Sequence, residues 1–152
     1  MINNNLYFRL FRGANPTLVS ISVLLLRCTV GILLFVAGSG KLLGWFGGYG
    51  MTATLQGYAK MGFSAPLAYL SMFTELLGGL LLVLGLLTRP AAFAIMINML
   101  VATIVSLPGG FMGPTGAQTP FIFLMIDIAI LLTGPMAISL DTVIFRKSVE
   151  QV

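Results

Sequence analysis

The sequence predicts an all-α membrane protein, a bundle of four transmembrane helices with a short amphipathic interfacial helix between the first and second. Three observations predict it. Of 152 residues, 58% are hydrophobic and only 8% charged, whereas a soluble domain carries about 25% charged residues. The apolar residues fall into four segments close to the ~20 residues that cross a hydrocarbon core. Inside those segments stand three isolated charges, Arg27, Glu75 and Asp127, and charges at such depth face a protein interior and pair.

The elements follow in order. Residues 1–17 carry Arg9 and Arg12 beside Tyr7, Phe8, Leu10 and Phe11, the composition of a segment lying on the cytoplasmic membrane surface. The first span, about 18–40, contains Arg27 and outruns the 7–15-residue apolar core of a signal peptide, so an uncleaved helix is expected. Trp45, Phe46 and Tyr49 follow among glycines, where interfacial aromatic belts occur. Met51, Leu55, Tyr58 and Gly62 then recur at helical spacing opposite Thr52, Gln56 and Lys60, which predicts an interfacial helix over 51–61. Spans at about 66–87 and 90–107 flank the turn Thr88-Arg89-Pro90. A loop rich in Gly and Pro leads to the fourth span, about 120–140, where Gly134-Pro135 kinks the helix or ends it early. The transmembrane domain is thus 18–142, with a cytoplasmic tail at 143–152.

Basic residues set the orientation. Arg9, Arg12, Arg89, Arg146 and Lys147 fall on one side, Lys41 and Lys60 on the other, which places both termini in the cytoplasm. The net charge of +4 comes from scattered residues and forms no nucleic-acid footprint. The sequence has no histidine and a single cysteine, Cys28. Bis-His haem, His-ligated metals, Ser-His or Cys-His dyads and an internal dithiol relay are therefore excluded. The nine methionines read as core filler and lipid contact rather than as metal ligands.

Counting helix rise from the span ends puts Arg27, Glu75 and Asp127 near one depth, roughly 13–20 Å in. Small residues share their faces: Gly31 and Gly38 with Arg27, Ala68, Ser71, Gly78 and Gly79 with Glu75, and Ala91, Ala94 and Ala102 with Asn98. Such residues mark helix-facing surfaces in membranes. The expectation is a shared polar centre of Arg27, Glu75, Asn98 and Asp127. Lys41, near the outer end of the Arg27 stripe, either supplies the remaining positive charge or snorkels to water. The centre either fixes helix register or holds a ligand and a mobile proton.

Several stretches taken together resemble the DoxX family. RCTVGILLFVAGSGKL at 27–42 resembles its opening motif and WFGGYG with GFSAP its first outer loop. ELLGGLLLVLGLLTRPAA resembles its second-helix signature, and GPMAISLD its C-terminal GPG-x-x-SLD ending, with Met136 in place of the usual glycine. The resemblance covers about 22–142. It implies a four-helix bacterial inner-membrane protein associated with quinone-linked sulfur oxidation or with complexes that handle thiol and oxidative stress, and it makes Arg27, Lys41, Glu75 and Arg89 the family's polar signature. Two functional classes remain open. In one, a quinone-interacting or redox-partner subunit carries no intrinsic cofactor and no metal, takes electrons from another subunit or a diffusible reductant, and admits quinone past Trp45, Phe46 and Tyr49. In the other, a non-catalytic scaffold anchors a partner complex or pairs with a second copy. A transporter would call for an inverted repeat, and the sequence shows none.

Overall fold

The computed structural model describes residues 15–113 and 116–149. The predicted surface segment at 1–17 lies almost wholly outside them. The described elements are α1 (Pro16–Leu43), a 3-10 turn (Trp45–Gly47), α2 (Gly50–Lys60), α3 (Ala65–Leu84), α4 (Thr88–Ser106), a second 3-10 turn (Leu107–Gly109), α5 (Gln118–Thr133) and α6 (Leu140–Val149). α1, α3 and α4 are long and apolar enough to cross a membrane, and α5 is a shorter apolar helix.

Local chemistry sets most of the boundaries. Asn15 precedes α1 in extended conformation and its side-chain oxygen accepts from the Thr17 N–H at 3.0 Å, while Pro16 occupies the first turn, where no N–H is needed. α1 stops at Gly44 and α3 at Gly85, both left-handed, with φ of 71° and 66°, as helix C-termini favour. The predicted interfacial helix is present as α2, and none of its residues is buried. Of the two effects expected of Gly134-Pro135, the structure shows the early end: the fourth helix stops at Thr133, short of about 140, because Gly134 turns the backbone to φ 75° and Pro135 cannot continue it.

α1 packs on α3, α4 packs on α5, and α3 joins the two pairs through α4. Glycine makes the first contact possible. A methyl group on Gly38 would stand 2.5 Å from the Leu76 nitrogen, and one on Gly79 would stand 2.6 Å from the Gly31 carbonyl. Helices without a hydrophobic drive to associate gain from such close backbone approach. Val30, Leu34, Leu82, Ala92, Ile95, Met99, Leu124 and Ile130 fill the core. Leu25, Leu33, Leu70, Phe73, Leu77, Phe93, Leu100 and Ile104 point outward. A surface this apolar belongs in lipid.

Candidate functional site

The polar residues form two separate centres instead of one knot. At the end of the bundle that bears the aromatic 44–64 connection, the Lys41 ammonium donates to both oxygens of Glu75 at 2.6 Å. The Glu75 side chain is 5% exposed and that of Lys41 33%. Asn98 on α4 adds a long hydrogen bond, 3.5 Å from Nδ2 to Glu75 Oε1. Lys41 stands in the last turn of α1, where the helix dipole favours a cation. Its backbone carbonyl accepts from the Thr54 hydroxyl of α2, which ties the interfacial helix to this centre.

Arg27 does not reach Glu75. Gly38 faces Leu76 across the α1–α3 contact, so Glu75 lies level with Gly38, and Arg27 lies about eleven residues away along α1, roughly 16 Å. The expected shared depth failed because the helix ends from which it is counted are not level: Gly85, just past the end of α3, lies beside Arg27, and α1 runs on about three turns further, back to Pro16. Of the two roles open to Lys41, the structure favours charge compensation. Among the described residues, Lys41–Glu75 is the ion pair within 4 Å.

Arg27 instead organises the opposite end. It is 1% exposed, its guanidinium donates to the Ile138 carbonyl, and Nη1 stands 2.5 Å from where a methyl on Gly85 would be. The backbone between α5 and α6 therefore folds back under the bundle. Asp141, which sequence reasoning did not single out, fastens it. Its carboxylate accepts from the N–H groups of Leu87 and Thr88 at 2.7 and 2.8 Å, and its own N–H donates to the Gly85 carbonyl. α4 thus receives its N-terminal cap from a distant residue. Burial pushes the Asp141 carboxyl up, but the hydrogen bonds from Thr88 and Leu87 and the charge of Arg27 outweigh it and hold the group below the usual carboxylate range. Ser139 accepts from the Thr142 N–H at 3.1 Å, the capping signature that marks the start of α6 in the sequence. Met136 has a φ of 55°, left-handed backbone that explains why a glycine suits this position.

Asp127 joins neither centre. It is fully buried, and neither carboxyl oxygen has a hydrogen-bond partner among the described residues. Arg89 lies against Gly134, where α5 stops, with its Nε 3.0 Å from a methyl built there.

A cavity of about 360 Å³ opens between α3 and α4 beneath α2. Leu67, Leu70, Ile97 and Val101 form its lipid-facing lips and are exposed. Ala94 and Ala102 leave the room inside, and Asn98 and Thr74 line the end remote from the α2 residues Tyr58 and Met61. Glu75 stands behind Asn98, one hydrogen bond from the cavity. The mouth is made by Tyr58, Met61 and Phe63, with Tyr58 edge-on to Phe63 at 6.0 Å. Trp45, Phe46 and Tyr49, the expected entry, are exposed and take no part in the lining. Arg27, Lys41 and Asp127 do not line it either. Tyr58 was legible in the sequence only as a residue on the apolar face of a short helix.

The DoxX family profile matches residues 22–108. A Bacillus subtilis protein named "Putative oxidoreductase CatD" is 34% identical over 127 residues, which cover 83% of this chain and 89% of that protein. No solved structure matches.

Proposed function

The chain belongs to the DoxX family, and we propose that it is a quinone-interacting subunit of a membrane oxidoreductase, set in a bacterial inner membrane with both termini cytoplasmic. The observation that carries this reading is the cavity between α3 and α4. It lies within the 300–1,000 Å³ range of small-molecule sites and has the apolar walls and few polar groups typical of them. Its exposed Leu70 and Ile97 lips suit a ligand that arrives through the bilayer. A quinone ring with an apolar tail has that character. Asn98 offers the hydrogen bond at the deep end, with the Lys41–Glu75 pair behind it. The chain has no histidine and one cysteine, so electrons come from a partner subunit or a diffusible reductant.

Titration of the purified protein in lipid nanodiscs with a short-tailed ubiquinone or menaquinone tests the reading. Saturable binding is expected, with loss on Ala102→Phe, which fills the cavity. Wild-type protein without saturable binding would remove it.

A second reading rests on the same ion pair. Lys41 already satisfies both Glu75 oxygens at 2.6 Å, so the pair can serve solely to fix α1 against α3 in a scaffold that anchors a partner complex. That version expects a stable partner or a second copy on gentle co-purification and no quinone binding.

A further inference from the structure

Asp127 belongs to neither polar centre, and its surroundings are apolar. The buried residues of α5 are Leu124, Asp127 and Ile130, each about one turn from the next. Leu124 and Ile130 are members of the core, together with Val30 and Leu34 of α1 and Ala92 and Ile95 of α4. The carboxyl is thus flanked above and below by core side chains. It is 0% exposed, and neither oxygen has a hydrogen-bond partner among the described residues.

The charged groups on the neighbouring elements are engaged elsewhere. α4 and α1 pack against α5. α4 brings Arg89, which lies against Gly134, seven residues beyond Asp127 and so about 10 Å along the axis. α1 brings Arg27, Cys28 and Lys41. Arg27 donates to the Ile138 carbonyl beside Gly85, Lys41 holds both oxygens of Glu75, and Cys28 offers no positive charge. α3 adds Glu75 itself and Tyr69, whose hydroxyl turns to the Met51 sulfur. Among the described residues, no cation stands within 4 Å of Asp127.

An ionised carboxylate in such a place gives up its hydration with nothing in return. A bound proton removes the charge and leaves one O–H. The Phe123 carbonyl, four residues earlier on the same helix, can accept it, as the Ala129 carbonyl accepts from the Thr133 hydroxyl.

We propose that Asp127 is a proton-binding site in the middle of the bundle: the folded chain takes a proton from water there and holds it at neutral pH as a carboxylic acid. The site is independent of the quinone reading and of the Lys41–Glu75 pair, where a lysine supplies the counter-charge. Leucine or asparagine would fill the place without titrating. An acid there gives the protein one proton to yield when water or a cation enters the core.

Infrared spectroscopy of the full chain in nanodiscs tests this. Asp127 and Asp141 are the aspartates of the sequence, so the protein is made twice, once with ordinary aspartate and once with heavy carbon in the aspartate side-chain carboxyl. Subtracting the two spectra cancels the lipid esters and every other residue. At neutral pH the difference should contain one isotope-shifted acid C=O band, from Asp127. It should also contain one carboxylate band, from Asp141, which accepts two backbone N–H groups. The acid band is expected to shift in heavy water as O–H becomes O–D, to vanish in Asp127→Asn and to remain in Asp141→Asn. Two carboxylate bands and no acid band in wild-type protein overturn the proposal, since buried water must then solvate an ionised Asp127. Loss of the acid band in Asp141→Asn with survival in Asp127→Asn overturns it equally. An acid band that never shifts in heavy water overturns exchange with solvent. The comparison of labelled and unlabelled wild-type protein holds whether or not the variants fold.

Discussion

Replacing Lys41 by methionine removes the ammonium that engages both Glu75 oxygens at 2.6 Å and keeps the length of the side chain. What remains beside the carboxylate is Asn98 at 3.5 Å, too long to hold a charge that is 5% exposed. Breaking a buried pair from one side costs about 3–5 kcal/mol, and the Asn98 amide left beside the carboxylate sets the expected loss at the lower end, about 3 kcal/mol. The reverse change is milder. Glu75→Gln strands an ammonium that is 33% exposed and can turn along its flexible stem to water, so the cost is that of the lost charged hydrogen bonds, about 1.5 kcal/mol. The double variant Lys41→Met/Glu75→Gln leaves no buried charge and should return to within about 1 kcal/mol of wild type. The cycle then gives a coupling of about 4 kcal/mol. Equilibrium unfolding in mixed micelles, followed by circular dichroism, measures all four proteins. The reasoning is refuted if Glu75→Gln costs as much as Lys41→Met, or if the double variant is no better than the worse single one. A parallel cycle between Arg27 and Glu75 should be additive, since about 16 Å of helix separates them.

Three further outcomes are expected. Gly38→Ala drives a methyl to 2.5 Å from the Leu76 backbone and should cost about 1–3 kcal/mol by thermal unfolding, whereas Gly57→Ala, with nothing within 4 Å, should stabilise α2 by about 0.5–1 kcal/mol. Met136→Gly relieves a side chain held at φ 55° and should raise stability by about 1 kcal/mol in the same measurement. Asp141 sits below the ordinary carboxylate range, so its contribution is complete above the unfolded-chain value near 4 and is lost as pH falls through the lowered folded value. Stability measured against pH should therefore show an acid limb that Asp141→Asn flattens.

Much of this molecule can be read from the chain. The apolar runs locate α1, α3 and α4, the Met51–Tyr58 periodicity locates α2, and Glu75 and Asn98 read as polar groups facing inward, while Lys41 reads equally as their counter-charge or as a lysine snorkelling to water. Their pairing could not be read, because depth counted from the end of a hydrophobic run assumes that every run starts at the same height. The glycine contacts at Gly31, Gly38 and Gly79 set the register, and composition does not reveal which glycine meets which backbone. The same limit hid the cavity. Tyr58, Ser71 and Thr74 come from two helices, and a serine among small residues gives no sign of the tyrosine it will bond. Asp141 was obscured by extending the fourth span past Gly134-Pro135, which hid a helix start inside a supposed helix end.

The early stop of α5 has a consequence for the surrounding lipid. Sixteen residues rise about 24 Å, against a hydrocarbon core of about 30 Å, while the 28 residues of α1 exceed it. One side of the protein is therefore taller than the other, and the bilayer along α5 must thin to meet it, at a fraction of a kcal/mol per Å of mismatch. Stability should rise as acyl chains shorten. In a mixed membrane, shorter-chain lipids should gather along the α5 flank and leave the α1 flank to longer ones.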